Sequence, residues 1–388
     1  SRSISGNAGI SELPVLATSS DPSVQWWILW EDTTSGTPQI YGKYYDGQRF
    51  VEEPGSFLDG GISSSPGQSF SPALAINKTS SLAAAWLDGS SGFVNVYAKV
   101  LSGSPPAWRM LHDADTSSAE GLGVTLRQQA APDAPLDVDI ALDSQGRPWI
   151  VWLEKHRIYL KYYSGARFEE AFGSASGDGL SGAQGEALHP KVRISQAGDT
   201  LVSFSSTATG KNAVYLLSLG ESGWQALANA PQSGLVYAPE NHSSRPDFFI
   251  DSFDTVWVVW EEHFSSGVSE VYLAHQTTLG FSAEGSSLSF GGISSTGWQV
   301  SDPTVAVNQS GSPYVAWSQQ TAENTEIYVS RLDNGFWRPM PFSSAEPTKG
   351  VSHTRGHSIT PSLNIDSLDR PIVAWADASQ GNYEIYLR

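Results

Sequence analysis

Residues 71–86 read SPALAINKTSSLAAAW, and the same frame returns at 189–204 (HPKVRISQAGDTLVSF), 245–260 (RPDFFIDSFDTVWVVW), 302–317 (DPTVAVNQSGSPYVAW) and 360–375 (TPSLNIDSLDRPIVAW). The five align without gaps from Pro72, Pro190, Pro246, Pro303 and Pro361 to a terminal aromatic. Two further copies end in WWILW (26–30) and PWIVW (148–152), the first with a longer hairpin and the second with a displaced proline. The anchor aromatics Trp30, Trp86, Trp152, Phe204, Trp260, Trp317 and Trp375 are separated by 56, 66, 52, 56, 57 and 58 residues. A near-constant period of this length marks a repeat architecture, and it makes a domain count based on length alone misleading.

After each anchor comes an aliphatic residue followed by tyrosine: Ile40-Tyr41, Val96-Tyr97, Ile158-Tyr159, Val214-Tyr215, Val271-Tyr272, Ile327-Tyr328 and Ile385-Tyr386. Most units then carry a glycine followed closely by an aromatic, as in Gly47/Phe50, Gly165/Phe168, Gly223/Trp224, Gly280/Phe281 and Gly335/Trp337. Apolar residues alternate, or run briefly between turn residues, which is the period of strands and not of helices. Each unit therefore reads as four short strands: one after the proline, one ending near the anchor, one holding the tyrosine and one after the glycine. Seven such units predict an all-β chain, a seven-bladed β-propeller of four-stranded blades, because radial repetition leaves only short protected edges. A linear solenoid is the alternative, and it would need capping repeats that the sequence does not display. The chain stops at Arg388 just after the Tyr386 strand, while SGNAGISELP near the start resembles the connections GGISSSPG and GGISSTGW. Residues near Ile4 are thus expected to complete the last blade and close the ring, giving a single domain over 1–388.

Composition narrows the partners. Of 388 residues 16% are charged, with 22 Lys and Arg against 40 Asp and Glu, for a net charge of −18. Such acidity disfavours nucleic acid and anionic membrane surfaces, both of which are bound through cationic side chains. No apolar run is long enough to span a bilayer, and no signal peptide is visible. A chain beginning at Ser1 is expected to have a processed terminus. The absence of cysteine excludes disulfides, thiolate metal sites and cysteine nucleophiles. Abundant Ser, Gly and Trp with little Lys favours a secreted or periplasmic bacterial protein.

The unit P-x-aliphatic-x-aliphatic-D/N, a Gly-containing hairpin, V-A-W-x-D/E and E-I-Y resembles bacterial seven-bladed propellers of the sialidase-like superfamily, over essentially the whole chain. That superfamily includes lectins and polysaccharide-cleaving enzymes, so the resemblance implies a fold and leaves the activity open. The sialidase Asp-box, Ser-x-Asp-x-Gly-x-x-Trp, is echoed only in Asp143, Gly146 and Trp149, without its leading serine. The scattered arginines likewise do not match the three that a sialidase uses to hold a carboxylate.

A residue recurring in every blade usually serves the blade. The anchors and tyrosines are expected to pack between blades. Asn77, Asp143, Asp251, Asn308 and Asp366 are expected to form the turn after each first strand. Two residues past each anchor stand Asp32, Asp88, Glu154, Ser206, Glu262, Gln319 and Asp377. They either accept backbone N–H bonds in the next turn or gather as a ring of acids around a cation or several hydroxyls.

Function is sought where one blade differs from the rest, in the loops between blades. Those loops hold His112, Arg127, Glu186, His189, Tyr237, Glu240, Asn241, His242, Arg245, Lys349, His353, Arg355 and His357. The remaining histidines, His156, His263 and His275, fall near the post-anchor loops or in a third strand. The ligand-binding set is read as His189, Asn241, His242, Arg245, Arg355 and His357, and the catalytic candidates as His242, Tyr237, Arg245 and Glu240. A lyase would use His242 or Tyr237 as base, with Arg245 or Arg355 neutralising a uronate carboxylate. A glycosidase would pair Glu240 with Glu262. Against both stands the plain reading that His and Arg in loops are solvated residues. No metal or nucleotide motif is present. Asp137 and Asp139 alternate on a strand where a structural Ca²⁺ would lack the usual ligand spacing, and no cofactor is expected. The sequons at Asn77, Asn241 and Asn308 carry no glycosylation meaning in a bacterial protein. The leading expectation is a lectin-like propeller that binds a glycan through its loop-rich face. The alternatives are a lyase or glycoside hydrolase, or a structural module that binds a cell-surface protein, with no nucleic-acid partner and no membrane insertion.

Overall fold

The computed structural model describes residues 3–6, 8–18, 26–53, 55–57, 60–112, 124–125, 136–227, 241–289, 291–340 and 350–388. Among them 27 strands form seven antiparallel sheets and there is no helix, so none is present that could cross a membrane. The sheets are the blades of a seven-bladed β-propeller. Their first strands are Ser11–Thr18, Ser69–Ile76, Asp137–Leu142, Ala187–Ile194, His242–Ile250, Val300–Val307 and Ser358–Ile365. Six sheets have four strands in simple sequential order, and the last has three.

The chain divides into two compact units, one of residues 7–183 with 190–194 and the other of residues 1–6, 184–189 and 195–388. In the first, Trp27, Leu29 and Ile40 of blade 1 share a core with Trp86 and Tyr97 of blade 2. A second core joins blades 2 and 3 around Leu87, Ile140 and Trp152. In the other unit, cores between successive blades gather around Trp260, Trp317 and Trp375. Trp86, Trp152, Trp260, Trp317 and Trp375 therefore do pack between blades. Each anchor also lies opposite its tyrosine across one sheet, stacked at 5.4–6.4 Å in the Phe204–Tyr215, Trp317–Tyr328 and Trp86–Tyr97 pairs, an offset geometry that aromatic pairs favour.

The first strands begin about three residues before their prolines instead of after them. In blades 1, 2, 5, 6 and 7 the register shifts at that point. The residue before the proline takes a positive φ: Leu13 52°, Ser71 53°, His189 55°, Arg245 48°, Asp302 54° and Thr360 52°. Proline has no N–H to offer the neighbouring strand, so it is tolerated where a bulge interrupts the pairing. The bulge in turn re-aims the side chain before it.

The connections between blades use one repeated device. The backbone N–H of Ile62, Val124, Leu180, Ile293, Val351 and Ile4 each bonds, at 2.7 Å, the carbonyl of the aliphatic residue before a tyrosine: Ile40, Val96, Ile158, Val271, Ile327 and Ile385. The next residue then accepts a backbone N–H through its hydroxyl, as Ser63 does from Ile40 at 2.9 Å and Ser5 from Ile385 at 3.0 Å. The N-terminal segment thus supplies the seventh blade with its connection contact, and among the described residues that blade has three strands.

Candidate functional site

Bulge positions are equivalent from blade to blade, yet they carry different chemistry: Leu13, Ser71, His189, Arg245, Asp302 and Thr360. The position directly after the anchor varies as well, with Glu31, Leu87, Leu153, Ser205, Glu261, Ser318 and Ala376. Only blades 1 and 5 place a carboxylate there, and blade 5 alone combines it with a bulge arginine.

In blade 5 the Arg245 guanidinium donates from Nη1 to Asp302 Oδ1 at 2.5 Å, and its Nε lies 3.9 Å from Glu261 Oε1. Glu261 Oε1 also accepts the backbone N–H of Asp302 at 2.8 Å. The other oxygen, Oε2, stands 3.0 Å from His263 Nε2 and 3.4 Å from Ser244 Oγ. Ser244 Oγ is itself 2.8 Å from His263 Nε2. Glu261 is buried, with 2% exposure, while the side chains of Arg245 and His263 are 42% and 44% exposed. A buried carboxylate therefore holds a guanidinium and an imidazole at the surface within 4 Å of itself. A carboxylate bonded at Nε2 favours the ring proton there and leaves Nδ1 as a base, while Arg245 offers a planar fork suited to carboxylates.

Blade 1 has the same acid without the cation. Glu31 Oε2 accepts the N–H of Ser71 at 3.3 Å, and its cross-strand partner is Glu12. Burial raises the carboxyl of Glu12 above its ordinary range. Burial raises Glu31 too, the bond from Ser71 opposes the rise, and the charge of Glu12 adds to it.

The other loop residues fall mostly to the scaffold. His242 Nδ1 accepts the N–H of Asn212 at 3.3 Å, and His357 Nδ1 that of Thr325 at 3.2 Å. His242 opens the first strand of blade 5 and His357 stands just before that of blade 7, and each holds the preceding blade; the structure does not bring them together. His189 occupies the bulge of blade 4, Asn241 is half-buried beside His242, and Arg355 is exposed in the connection to blade 7. His353 Nδ1 lies 3.9 Å from Glu326. The Glu186 N–H bonds Thr207 at 2.8 Å, the His112 carbonyl accepts Tyr163 OH at 3.3 Å, and His275 stacks on Trp257 at 4.8 Å. Tyr237, Glu240, Arg127 and Lys349 lie outside the described residues.

The acids two past the anchor are caps for the indole. Trp30, Trp86, Trp152 and Trp260 each donate Nε1–H to Asp32, Asp88, Glu154 and Glu262 at 3.1 Å. Several add a first-strand serine, as Ser243 does to Glu262 at 2.5 Å and Ser11 to Asp32 at 2.7 Å. Asn77, Asp143, Asp251, Asn308 and Asp366 close their turns as expected, Asp251 for example accepting the N–H groups of Phe253 and Thr255 at 2.8 and 2.9 Å. Asp139 holds Arg193 at 2.6 Å, whereas Asp137 bonds the N–H of Val138. Among the described residues no three His, Asp or Glu stand together as a metal site would require.

Glu261, Asp302, Glu31 and Glu12 were not singled out by motif, and His263 only by its place near a post-anchor loop. The signal available for them is the comparison of equivalent positions across blades.

No protein-family model matches the chain, and no curated protein is similar to it. Solved structures do match. An ulvan lyase of a new polysaccharide lyase family, bound to GlcA(1-4)Rha3S, is 9% identical with a TM-score of 0.60, over 100% of this chain and 95% of that one. A further ulvan lyase structure of that family is 9% identical with a TM-score of 0.57, over 98% and 94%. A protein of unknown function from Dyadobacter fermentans is 11% identical with a TM-score of 0.50, over 83% and 94%. At these identities the likeness concerns the fold, and it agrees with the propeller that the repeat implies.

Proposed function

We propose that this protein is a lectin-like propeller that recognises a polysaccharide, with the Arg245, Glu261, His263 and Asp302 cluster as its main contact for an acidic sugar. The observation that carries the reading is the combination in one blade of a bulge arginine and a post-anchor glutamate, positions that are neutral or singly charged in the other blades. A surface guanidinium that donates and an imidazole whose free Nδ1 accepts, both braced by a buried acid, form a preorganised pair that suits a carboxylate flanked by hydroxyls. The full-length likeness to a lyase whose structure contains GlcA(1-4)Rha3S supports a glycan over a cell-surface protein as the partner. Abundant Ser, Gly and Trp with little Lys supports a secreted or periplasmic location.

One observation favours a second reading, cleavage of a uronate polysaccharide by β-elimination. His263 and Arg245 flank the same buried carboxylate, so a base and a carboxylate-neutralising cation stand side by side. In that reaction His263 would take the proton at C5 of the uronate while Arg245 stabilises the charge that develops on its carboxylate; the C4–O bond then breaks to leave a double bond between C4 and C5, and the departing oxygen takes the proton back from His263 and leaves as a hydroxyl. The two readings part in one experiment. Uronate polysaccharides are titrated calorimetrically, and the same mixtures are followed for the ultraviolet absorbance of unsaturated uronate. Binding without absorbance supports the lectin, binding with absorbance the lyase, and no binding to any glycan overturns both.

A further inference from the structure

Trp298 breaks the repeat where four other connections need glycine, Gly9, Gly67, Gly185 and Gly356, and where blade 5 has Asn241. In these four a Cβ would meet backbone nitrogen of the post-anchor hairpin, at 2.4 Å for Thr34, 2.4 Å for Ser90, 2.3 Å for Ala208 and 2.3 Å for Ser379. Connection and hairpin therefore touch directly, and no side chain fits between them. Blade 6 keeps the preceding bond, Gln320 N–H to Gln299 carbonyl at 2.9 Å, as blade 2 keeps Gly89 to Gln68 at 2.9 Å. Beyond that bond the two segments must part to admit Trp298.

Its hairpin has a different build as well. Blades 1, 2, 4 and 7 turn on a glycine (Gly36, Gly92, Gly210, Gly381) that bonds back three residues. In blade 6 Thr321 instead bonds Asn324, its N–H reaching the carbonyl at 2.8 Å and its hydroxyl accepting the Asn324 N–H at 3.1 Å. Between connection and hairpin lies a cavity of about 450 Å³, lined by Gln299, Ser301, Ser318, Gln320, Glu323 and His357 among others. This lies within the range of about 300–1,000 Å³ usual for small-ligand sites.

The lining has the chemistry of hydroxyl recognition. Ser301 and Ser318 face each other in register, at the positions that in blade 5 hold Ser244 and Glu261, so the charge found there is absent from this floor. The Ser318 hydroxyl is buried, with the residue 1% exposed, and has no hydrogen-bond partner. A buried hydroxyl left unmatched costs about 1–3 kcal/mol, so the floor holds polar capacity that the chain itself leaves unused. His357 accepts a backbone N–H through Nδ1, so its neutral ring carries the proton on Nε2 as a further donor. Glu323 is the one charged residue in the lining, and it repels anions. At the adjoining position Trp298 is 45% exposed, and its backbone N–H is held by Thr296 Oγ1 at 3.1 Å.

We infer that this cavity and the exposed indole form a subsite for a neutral sugar residue, distinct from the acidic-sugar contact at Arg245, with Trp298 stacking on the apolar face of the ring. The inference rests on the glycan reading above and adds to it a neutral residue within the bound polysaccharide.

A glycan array carrying neutral and uronate-bearing oligosaccharides, followed by calorimetry with the best-retained neutral hexasaccharide, tests it. Trp298→Ala is expected to weaken neutral binding at least tenfold and Ser318→Ala about threefold. Phe336→Ala, an aromatic of the same blade that is 67% exposed and outside the lining, is expected to bind as the parent does. Melting curves verify that each variant folds. Neutral binding that survives Trp298→Ala, or that Phe336→Ala weakens instead, overturns the subsite and leaves the glycan reading intact. Retention of acidic sugars alone does the same. Retention of no glycan at all overturns the glycan reading, and the subsite with it.

Discussion

Glu31 accepts the backbone N–H of Ser71 at 3.3 Å, the same bond from one blade to the next bulge that Glu261 makes to Asp302 at 2.8 Å. Around that shared bond the two acids have opposite company. Glu261 has Arg245 and His263 beside it, whereas Glu31 faces Glu12 across the sheet.

The difference predicts a pH dependence of stability. Burial first, and for Glu31 the charge of Glu12 as well, raise both carboxyls in the folded state. A raised carboxyl binds its proton more tightly when folded, so nothing is lost below the unfolded value of about 4.3. Stability then falls as pH rises through the folded values. Glu12→Gln removes the repulsion, and like charges paired across strands cost about 0.2–1 kcal/mol. Its melting temperature should exceed the parent's at pH 7 and approach it at pH 4. A difference that does not change with pH would show that the pair carries no mutual repulsion.

Arg245→Ala should destabilise the protein as well as weaken binding of acidic sugars. It leaves Glu261, 2% exposed, without its guanidinium, and an uncompensated buried charge costs about 3–5 kcal/mol. His263 and the Asp302 N–H remain, so a loss nearer 2 kcal/mol is expected. In a Glu261→Gln background the same substitution should cost at least about 1 kcal/mol less, and urea unfolding of the double-mutant cycle measures that coupling. Additive losses would show that the 3.9 Å separation of Arg245 from Glu261 contributes nothing.

The architecture was legible because its signals are repeated and local: a proline, an anchor and a tyrosine in each unit, each sitting where its own neighbours require it. The charged cluster was not. Arg245 and Asp302 meet across 57 positions of sequence, and the bulge at Ser244/Asp247 re-aims the side chain before Pro246, which strand alternation alone cannot foresee. His242 and His357 drew attention by residue type, yet each spends Nδ1 on a backbone N–H. Equivalent positions taken down the repeat, the one after the anchor above all, are where the site shows.

Blade 4 offers a control for the anchor cap. Trp260 donates its indole N–H to Glu262 at 3.1 Å, whereas the equivalent pair in blade 4 is Phe204 with Ser206, neither indole nor acid. Trp260→Phe should therefore cost about 1–3 kcal/mol beyond its loss of packing, through the partner it strips from a buried carboxylate. The double variant Trp260→Phe/Glu262→Ser reproduces the blade 4 pair and should regain part of that loss in chemical denaturation. Failure of the second change to recover stability would mean that Ser243, 2.5 Å from Glu262, satisfies the acid alone.

The glycines of the connections should be far less tolerant than those of the hairpins. A Cβ on Gly67 would stand 2.4 Å from Ser90 N, which is backbone, while a Cβ on Gly92 would meet open space at a φ of +83°. Gly92→Ala is then charged only for its left-handed conformation, about 1–2 kcal/mol. Gly67→Ala must push a connection away from a hairpin and should cost about 3 kcal/mol, at the upper end of overpacking penalties. The ordering, read from thermal melts, bears directly on blade 6, since the cavity there is attributed to this same separation forced by Trp298. If Gly67→Ala melts with the parent, connections part from hairpins freely, and Trp298 is not the reason the cavity exists.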